Sequence, residues 1–220
     1  MIVGVDEAGR GPLAGPVVAG ACIEIEALRG NPHIRDSKQM TPEERDAAFA
    51  WIMKNCTVGY GIVDATFIDT HGILAATERA MQEAVAMVAR VTKPTFLIVD
   101  GRDKFWFDYP HTSIIGGDDS EPAIGAASIV AKVTRDRLMT EAHTTFPVYS
   151  FDQHKGYGTP EHTDAIRRHG PCEIHRKTFI HLSRPSTHSA RSGSGPSTKP
   201  ASRSKAATRH EPLSHPTPES

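Results

Sequence analysis

Cysteine is scarce in this chain: only Cys22, Cys56 and Cys172 occur in 220 residues, and no two form a C-x-x-C pair. An odd, scattered set supports neither a disulfide framework nor a cysteine zinc site, and the expected state is reduced thiols in the cytoplasm. Long apolar runs are also missing, so no membrane-spanning helix and no membrane partner are expected. The first residues lack the basic segment and small-residue cleavage site of a secretory signal. A strong net charge is absent as well. The formal value is −1, so the overall field does not draw the chain to polyanions.

That near-neutrality hides an asymmetry. From Ser183 onward Arg184, Arg191, Lys199, Arg203, Lys205 and Arg209 face only Glu211 and Glu219, and the rest is mostly Ser, Pro, Thr, Ala and Gly with almost no large apolar residue. Such a segment cannot bury enough apolar surface to offset its ordering entropy, and residues 183–220 are expected to be a disordered tail. It reads as a solvated extension or as a weak nucleic-acid arm. The body, residues 1–182, is long enough for one good core, and it is acidic.

Within the body, strand and helix signals alternate. Ile2–Val5, Val17–Ile25, Thr57–Val63, Phe96–Val99 and Thr112–Ile115 read as strands. Pro42–Asn55 reads as a helix with Thr41 as its N-cap, Pro42 in its first turn and Glu43 and Glu44 beside it. Ile73–Val91 and Ala123–His143 are longer helical patterns. Pro160–Arg168 is a short one, capped by Thr159 and closed by Gly170. This order predicts an α/β domain with a mixed sheet.

The most informative stretch is Ile-Val-Gly-Val-Asp-Glu-Ala-Gly-Arg-Gly at residues 2–11. A buried strand ends in two carboxylates, Asp6 and Glu7, which require a cation because an unpaired buried charge is costly. Phe96–Val99 repeats the pattern, ending in Asp100-Gly101. After the next strand come Gly116-Gly117-Asp118-Asp119. Strand ends that lie side by side form the functional crevice of an α/β sheet. Hard oxygen ligands with no nearby cysteine favour Mg²⁺ or Mn²⁺ over zinc. Gly9-Arg10-Gly11 supplies backbone N–H groups and a guanidinium suited to phosphate or sugar oxygens. Acids for metal beside donors for phosphate point to metal-assisted phosphodiester chemistry. The glycines from Gly9 to Gly15 also mimic a dinucleotide-binding loop, but that loop must open a helix, and strand-like Val17-Val18 follow.

Asp-Glu-Ala-Gly-Arg-Gly-Pro-Leu-Ala-Gly-Pro-Val-Val at 6–18 resembles the opening of the type 2 ribonuclease H (ribonuclease HII) family. The resemblance continues through Asp36-Ser37-Lys38 with Thr41 and Ile98-Val99-Asp100-Gly101. It also takes in the long-helix segment Ala126–Asp136, His154-Lys155-Gly156-Tyr157-Gly158-Thr159 with His162, and His175-Arg176-Lys177-Thr178-Phe179. It spans residues 1 to about 180. It implies a ribonuclease H-like mixed sheet flanked by helices, with a small C-terminal helical extension. It also implies an endoribonuclease that cuts RNA–DNA hybrids and the 5′ side of single ribonucleotides in duplex DNA, leaving a 3′-hydroxyl and a 5′-phosphate.

By that resemblance Asp6, Glu7, Asp100 and Asp118 are the catalytic acids and hold two divalent ions, Mg²⁺ or Mn²⁺. Gly9, Arg10 and Gly11 read the 2′-hydroxyl, the group that separates RNA from DNA. Tyr157 stacks on the sugar of the following nucleotide and reads the RNA-to-DNA junction. Lys38, Ser128, Lys132 and Arg176 are expected at phosphates. His154, His162, His169 and His175 are not spaced as a zinc site and read as loop hydrogen-bonders or DNA-facing residues, and Phe105, Trp106, Phe107 and Tyr109 read as core or loop packing.

The acidic run after Asp118 departs from the family's habit of a basic residue there and leaves Asp119 as the alternate fourth ligand. No sliding-clamp motif ends the chain, and a monomer is the default. The rivals are a general hybrid-cleaving ribonuclease H with little junction preference and a noncatalytic nucleic-acid-binding protein on the same fold.

Overall fold

In the computed structural model the described residues are 1–31, 34 and 40–181. Lys38, with the rest of the Asp36-Ser37-Lys38 segment, and the tail expected from Ser183 lie outside them.

β1 (Ile2–Ala8), β2 (Val17–Ile23) and β3 (Val58–Val63) pair antiparallel in succession. β4 (Phe96–Asp100) lies parallel to β1 on its other side, and β5 (His111–Ile114) parallel to β4. The sheet order is β3-β2-β1-β4-β5. The apolar runs of β1, β2 and β4 suit strands covered on both faces, whereas β5 at the edge carries His111, Thr112 and Ser113, all exposed.

On one face lies α3 (Ile73–Ala89), burying Ala76, Ala80, Met81, Ala84, Val85 and Val88 against Val3, Val5, Leu97 and Val99. On the other lie α1 (Pro42–Asn55) and α5 (Pro122–Thr145), with Ile52, Ile124, Ile129 and Val130 packed against Cys22 and Ile98. Each fully buried large aliphatic here contributes roughly 1.5–3 kcal/mol relative to exposure. The helices sit unusually close to the sheet because glycines let them. A Cβ on Gly4 would run into the backbone of Ala123 and Ile124, and one on Gly20 into Ala127. Gly59 and Gly61 make the same room for α3 at Ala84 and Ala80. The small residues at the start of α5 are the other half of that close approach, and they carry Ser128 to the end of β1.

A third, smaller core joins Ala14 and Met139 to Tyr149, Phe151, Ala165 and Ile166. It packs α6 (Phe151–His154) and α7 (Pro160–His169) around the C-terminal end of α5 and forms the expected helical extension.

Thr41 caps α1 with a full capping box, its hydroxyl accepting from the Glu44 N–H and the Glu44 carboxylate accepting from the Thr41 N–H. Three differences from the sequence expectation have physical causes. β1 does not stop at Val5 but runs through Asp6 and Glu7, because β2 continues opposite them at Gly20 and Ala19. Residues 65–71 form a helix, α2 (Ala65–His71), capped by Asp64 and separated from α3 by Gly72, whose φ of 83° only glycine adopts easily. α4 (Gly117–Ser120) is a single turn, entered through Gly116 at φ 68°.

Candidate active site

β1 and β4 are adjacent and parallel, so their C-terminal ends deliver Asp6, Glu7 and Asp100 to one end of the sheet. β5 ends beside them, and the Gly116 turn brings α4 back. The Gly117 N–H donates to Asp100 Oδ1 at 2.8 Å, tying the segment that carries Asp118 to the end of β4. Asp118 is buried and Asp119 is exposed.

The acids repel one another. Burial, then the charges of Glu7 and Asp100, push the Asp6 carboxyl well above its usual range, although Ser128 and the Glu7 N–H pull the other way. Burial also raises Glu7, and Arg10 offsets part of that. Three of the acids lean on protein donors: Asp6 on the Glu7 N–H at 2.7 Å and on the Ser128 hydroxyl, Glu7 on Arg10 at 3.3 Å, and Asp100 on Gly117. Among the described residues no three acid or imidazole side chains already converge as a closed metal cage. The donor set nevertheless fits a hard divalent ion. It is all oxygen, and its mutual repulsion is what a cation relieves.

Sequence reasoning missed Asp103. Arg10 donates to its Oδ2 at 2.7 Å, closer than to Glu7, so the guanidinium bridges the end of β1 and the loop after β4. Nothing in the spacing marks that carboxylate.

Behind Gly9-Arg10-Gly11 the structure corrects one expectation. Arg176 is not at a phosphate. It is fully buried, and its guanidinium donates to the carbonyls of Gly15 at 2.9 Å, Arg10 at 2.9 Å and Gly9 at 2.6 Å. Arg135, also missed, does the same from α5, donating to Pro16 at 3.0 Å and Ala14 at 3.2 Å. Its place four residues after Ala131 and four before Met139, on the buried face, was the available signal. No carboxylate pairs with either guanidinium through any hydrogen bond or ion pair among the described residues. Burial and then the neighbouring Arg135 pull Arg176 down to about 9, still protonated at neutral pH. Gly9 is required because a Cβ there would overlap the Arg135 side chain, and its φ is 96°.

Ser128 is likewise buried, on Asp6 rather than open to a phosphate. Lys132 pairs along α5 with Asp136 at 2.9 Å and lines a groove of about 430 Å³ with Arg45, Arg137 and Lys155. Gly11 has open space around it. Tyr157 stands on the turn between α6 and α7 with 44% of its surface exposed, its ring 5.7 Å from the Arg135 guanidinium carbon. The turn and the glycine loop are stitched together: Leu13 N–H to Gly156 O, Arg176 N–H to Leu13 O and Gly15 N–H to Ile174 O, each at 2.8 Å. Phe105 and Phe107 are core residues as expected, whereas Trp106 is 63% exposed.

The profile of ribonuclease HII matches residues 3–183. The chain belongs to the ribonuclease HII family. A ribonuclease HII of Geotalea daltonii is 50% identical over 179 residues, covering 81% of this chain and 82% of that one. Among solved structures, the ribonuclease H2 of Pyrococcus horikoshii superposes with a TM-score of 0.64 at 26% identity, over 80% of this chain and 92% of that one. The ribonuclease HII of Archaeoglobus fulgidus, solved with PCNA, gives 0.67 at 24%, over 84% and 97%, and supports the fold. As a ribonuclease HII, the chain is a metal-dependent endonuclease acting on RNA–DNA hybrids. No helix among the described residues is long and apolar enough to cross a membrane.

Proposed function

We propose that this ribonuclease HII also excises single ribonucleotides embedded in duplex DNA. It cuts on their 5′ side, with Asp6, Glu7, Asp100 and Asp118 holding two divalent ions, Mg²⁺ or Mn²⁺. Asp118 is preferred to Asp119 because it is the buried one, on the segment tied to Asp100. Those four carboxylates would hold the ions, and the chemistry the ions would supply there is a lowered pKa for a water and charge neutralisation at the leaving oxygen. The water's oxygen bonds to phosphorus, the bond from phosphorus to the 3′-oxygen breaks, and the products carry a 3′-hydroxyl and a 5′-phosphate.

The observation that carries the substrate reading is the inward pinning of the glycine loop. Arg176 holds the carbonyls of Gly9 and Arg10. In a trans peptide the N–H points opposite to its carbonyl, so the N–H groups of Arg10 and Gly11 are aimed away from the buried guanidinium. The open space at Gly11 lets a sugar approach that backbone, where a 2′-hydroxyl oxygen accepts from the N–H groups and a deoxyribose has no oxygen to do so. Tyr157 stacks on the next sugar, a reading supported by its exposure and by the hydrogen bond that ties its turn to the same loop. A deoxyribose suits that stacking and an added hydroxyl does not. Lys132 borders the groove that would carry the duplex backbone; Lys38, also expected at a phosphate, lies outside the described residues.

The test is cleavage of a labelled DNA duplex carrying one ribonucleotide, beside an all-DNA duplex and an RNA–DNA hybrid, with Mg²⁺, Mn²⁺ or EDTA. A single metal-dependent cut 5′ to the ribonucleotide is expected. Cleavage of the hybrid alone would overturn the junction reading and favour a general hybrid-cutting enzyme.

A further inference from the structure

Beneath the Tyr157 turn lies a set of buried imidazoles that the chemistry above does not use. His162 on α7 and His175 after it are buried to 0% and 1% exposure, packed with Tyr149 and Phe151. Their hydrogen bonds have only one consistent direction. His162 Nδ1 lies 2.8 Å from the Tyr157 carbonyl, which can only accept, so Nδ1 carries the proton. The Cys172 N–H donates to His175 Nδ1 at 2.9 Å, so that nitrogen carries none and Nε2 does. The two Nε2 atoms are 3.1 Å apart, and His175 therefore donates to His162. One chain of donors runs from the Cys172 backbone through two neutral rings to the carbonyl of Tyr157. Burial holds both rings neutral, His175 down to about 4.

The rest of the turn is gripped as tightly. His154 stacks on His162 with ring centroids 4.4 Å apart, donates to the Tyr149 carbonyl at 2.7 Å and accepts from the Gly156 N–H at 3.1 Å. Lys155 is a non-glycine at φ 52°, a left-handed conformation that such holding maintains, and Gly156 follows at φ 85°, which glycine adopts freely. The backbone on both sides of Tyr157 is therefore fixed from below while its ring stands exposed above Arg135.

We propose that His162 and His175 are positioning residues for Tyr157, and that this pair sets how strongly the enzyme prefers an RNA–DNA junction to a long hybrid. The inference rests on the junction-reading role given to Tyr157 above. His162 supplies the donor that orients the Tyr157 peptide, and His175 selects the tautomer in which that donor exists.

The test compares the ratio of single-ribonucleotide to long-hybrid cleavage in the full chain. The set is wild type, Tyr157→Ala, His162→Leu and His162→Asn, whose amide keeps a donor near Nδ1. Imidazole tautomers in the wild type are read by nitrogen NMR. Tyr157→Ala and His162→Leu are each expected to lower the ratio about tenfold, the equivalent of one hydrogen bond or stacking contact, and His162→Asn to stay within about twofold of wild type. The NMR is expected to show protonated Nδ1 on His162 and protonated Nε2 on His175. A folded His162→Leu that keeps the wild-type ratio while Tyr157→Ala loses it would overturn the inference and leave the Tyr157 reading standing. An unchanged ratio in Tyr157→Ala would remove both. If His162→Leu does not fold, the tautomers and His162→Asn decide. The opposite tautomers, or a lost ratio in His162→Asn with its donor kept, would contradict the relay.

Discussion

The two halves of the site handle buried charge in opposite ways. At the ends of β1 and β4, carboxylates crowd together with one guanidinium, Arg10, shared between Glu7 and Asp103. Behind the glycine loop, Arg135 and Arg176 are buried with carbonyl dipoles as their hydrogen-bond acceptors. The acidic half is left wanting a cation, while the basic half is completed by the chain's own backbone. In the proposed function the difference separates reaction from recognition: charge is held unresolved where an ion would bind, and spent on rigidity where a 2′-hydroxyl would be read.

The largest expected effect is on the acidic side. Asp100→Asn should lower cleavage of every ribonucleotide-containing substrate by on the order of 10³-fold or more, since it removes several kcal/mol of charge stabilisation. Steady-state rates in saturating Mg²⁺ check this, and activity within tenfold of wild type would remove the mechanism. On the basic side the loss should be structural. Arg176→Ala strips three carbonyls of their partner and should cost about 3 kcal/mol or more in chemical denaturation, with weakened hybrid binding. Arg176→Lys, a single point donor, should recover only part of that.

Acid and base should also pull the two regions apart. Asp6 and Glu7 have raised values, so in metal-free protein their contribution to stability is present at low pH and is lost as pH rises through those values. His175, lowered to about 4 by burial and then by His162, with His154, Tyr149 and Cys172 around it, runs the other way. Its contribution is present above about 6.5 and is lost as pH falls towards about 4. Melting in EDTA across pH should therefore show a histidine-dependent slope in wild type and a smaller one in His175→Gln, where His162 keeps its own lowered value.

The same contrast governs what the sequence made legible. The acids proposed as catalytic stand out because carboxylates at the end of a buried apolar run serve no packing purpose, and β1 and β4 carry that pattern plainly. α1 and α7 were legible from Thr41, Thr159 and Gly170. α2 was not, because seven residues with no clear period do not outweigh the following Gly72. The basic half was obscure for a different reason. Spacing does not tell from which side an arginine enters a turn, so Arg176 read as a phosphate contact and Ser128 as another, although both face inward. Asp103 depends on a contact with Arg10, 93 residues away, and the histidine chain on how α7 packs against the segment after it, neither of which a local pattern encodes.

The central claim is that the acidic half is held under repulsion for a divalent ion. The most direct measurement is the melting temperature of wild type and Asp6→Asn near neutral pH, in EDTA and in Mg²⁺, with cleavage measured alongside. The account predicts that Asp6→Asn melts higher than wild type without metal, that Mg²⁺ raises wild type more than the variant, and that the variant is inactive. An Asp6→Asn protein that melts lower in EDTA, or that gains as much from Mg²⁺ as wild type, would contradict it.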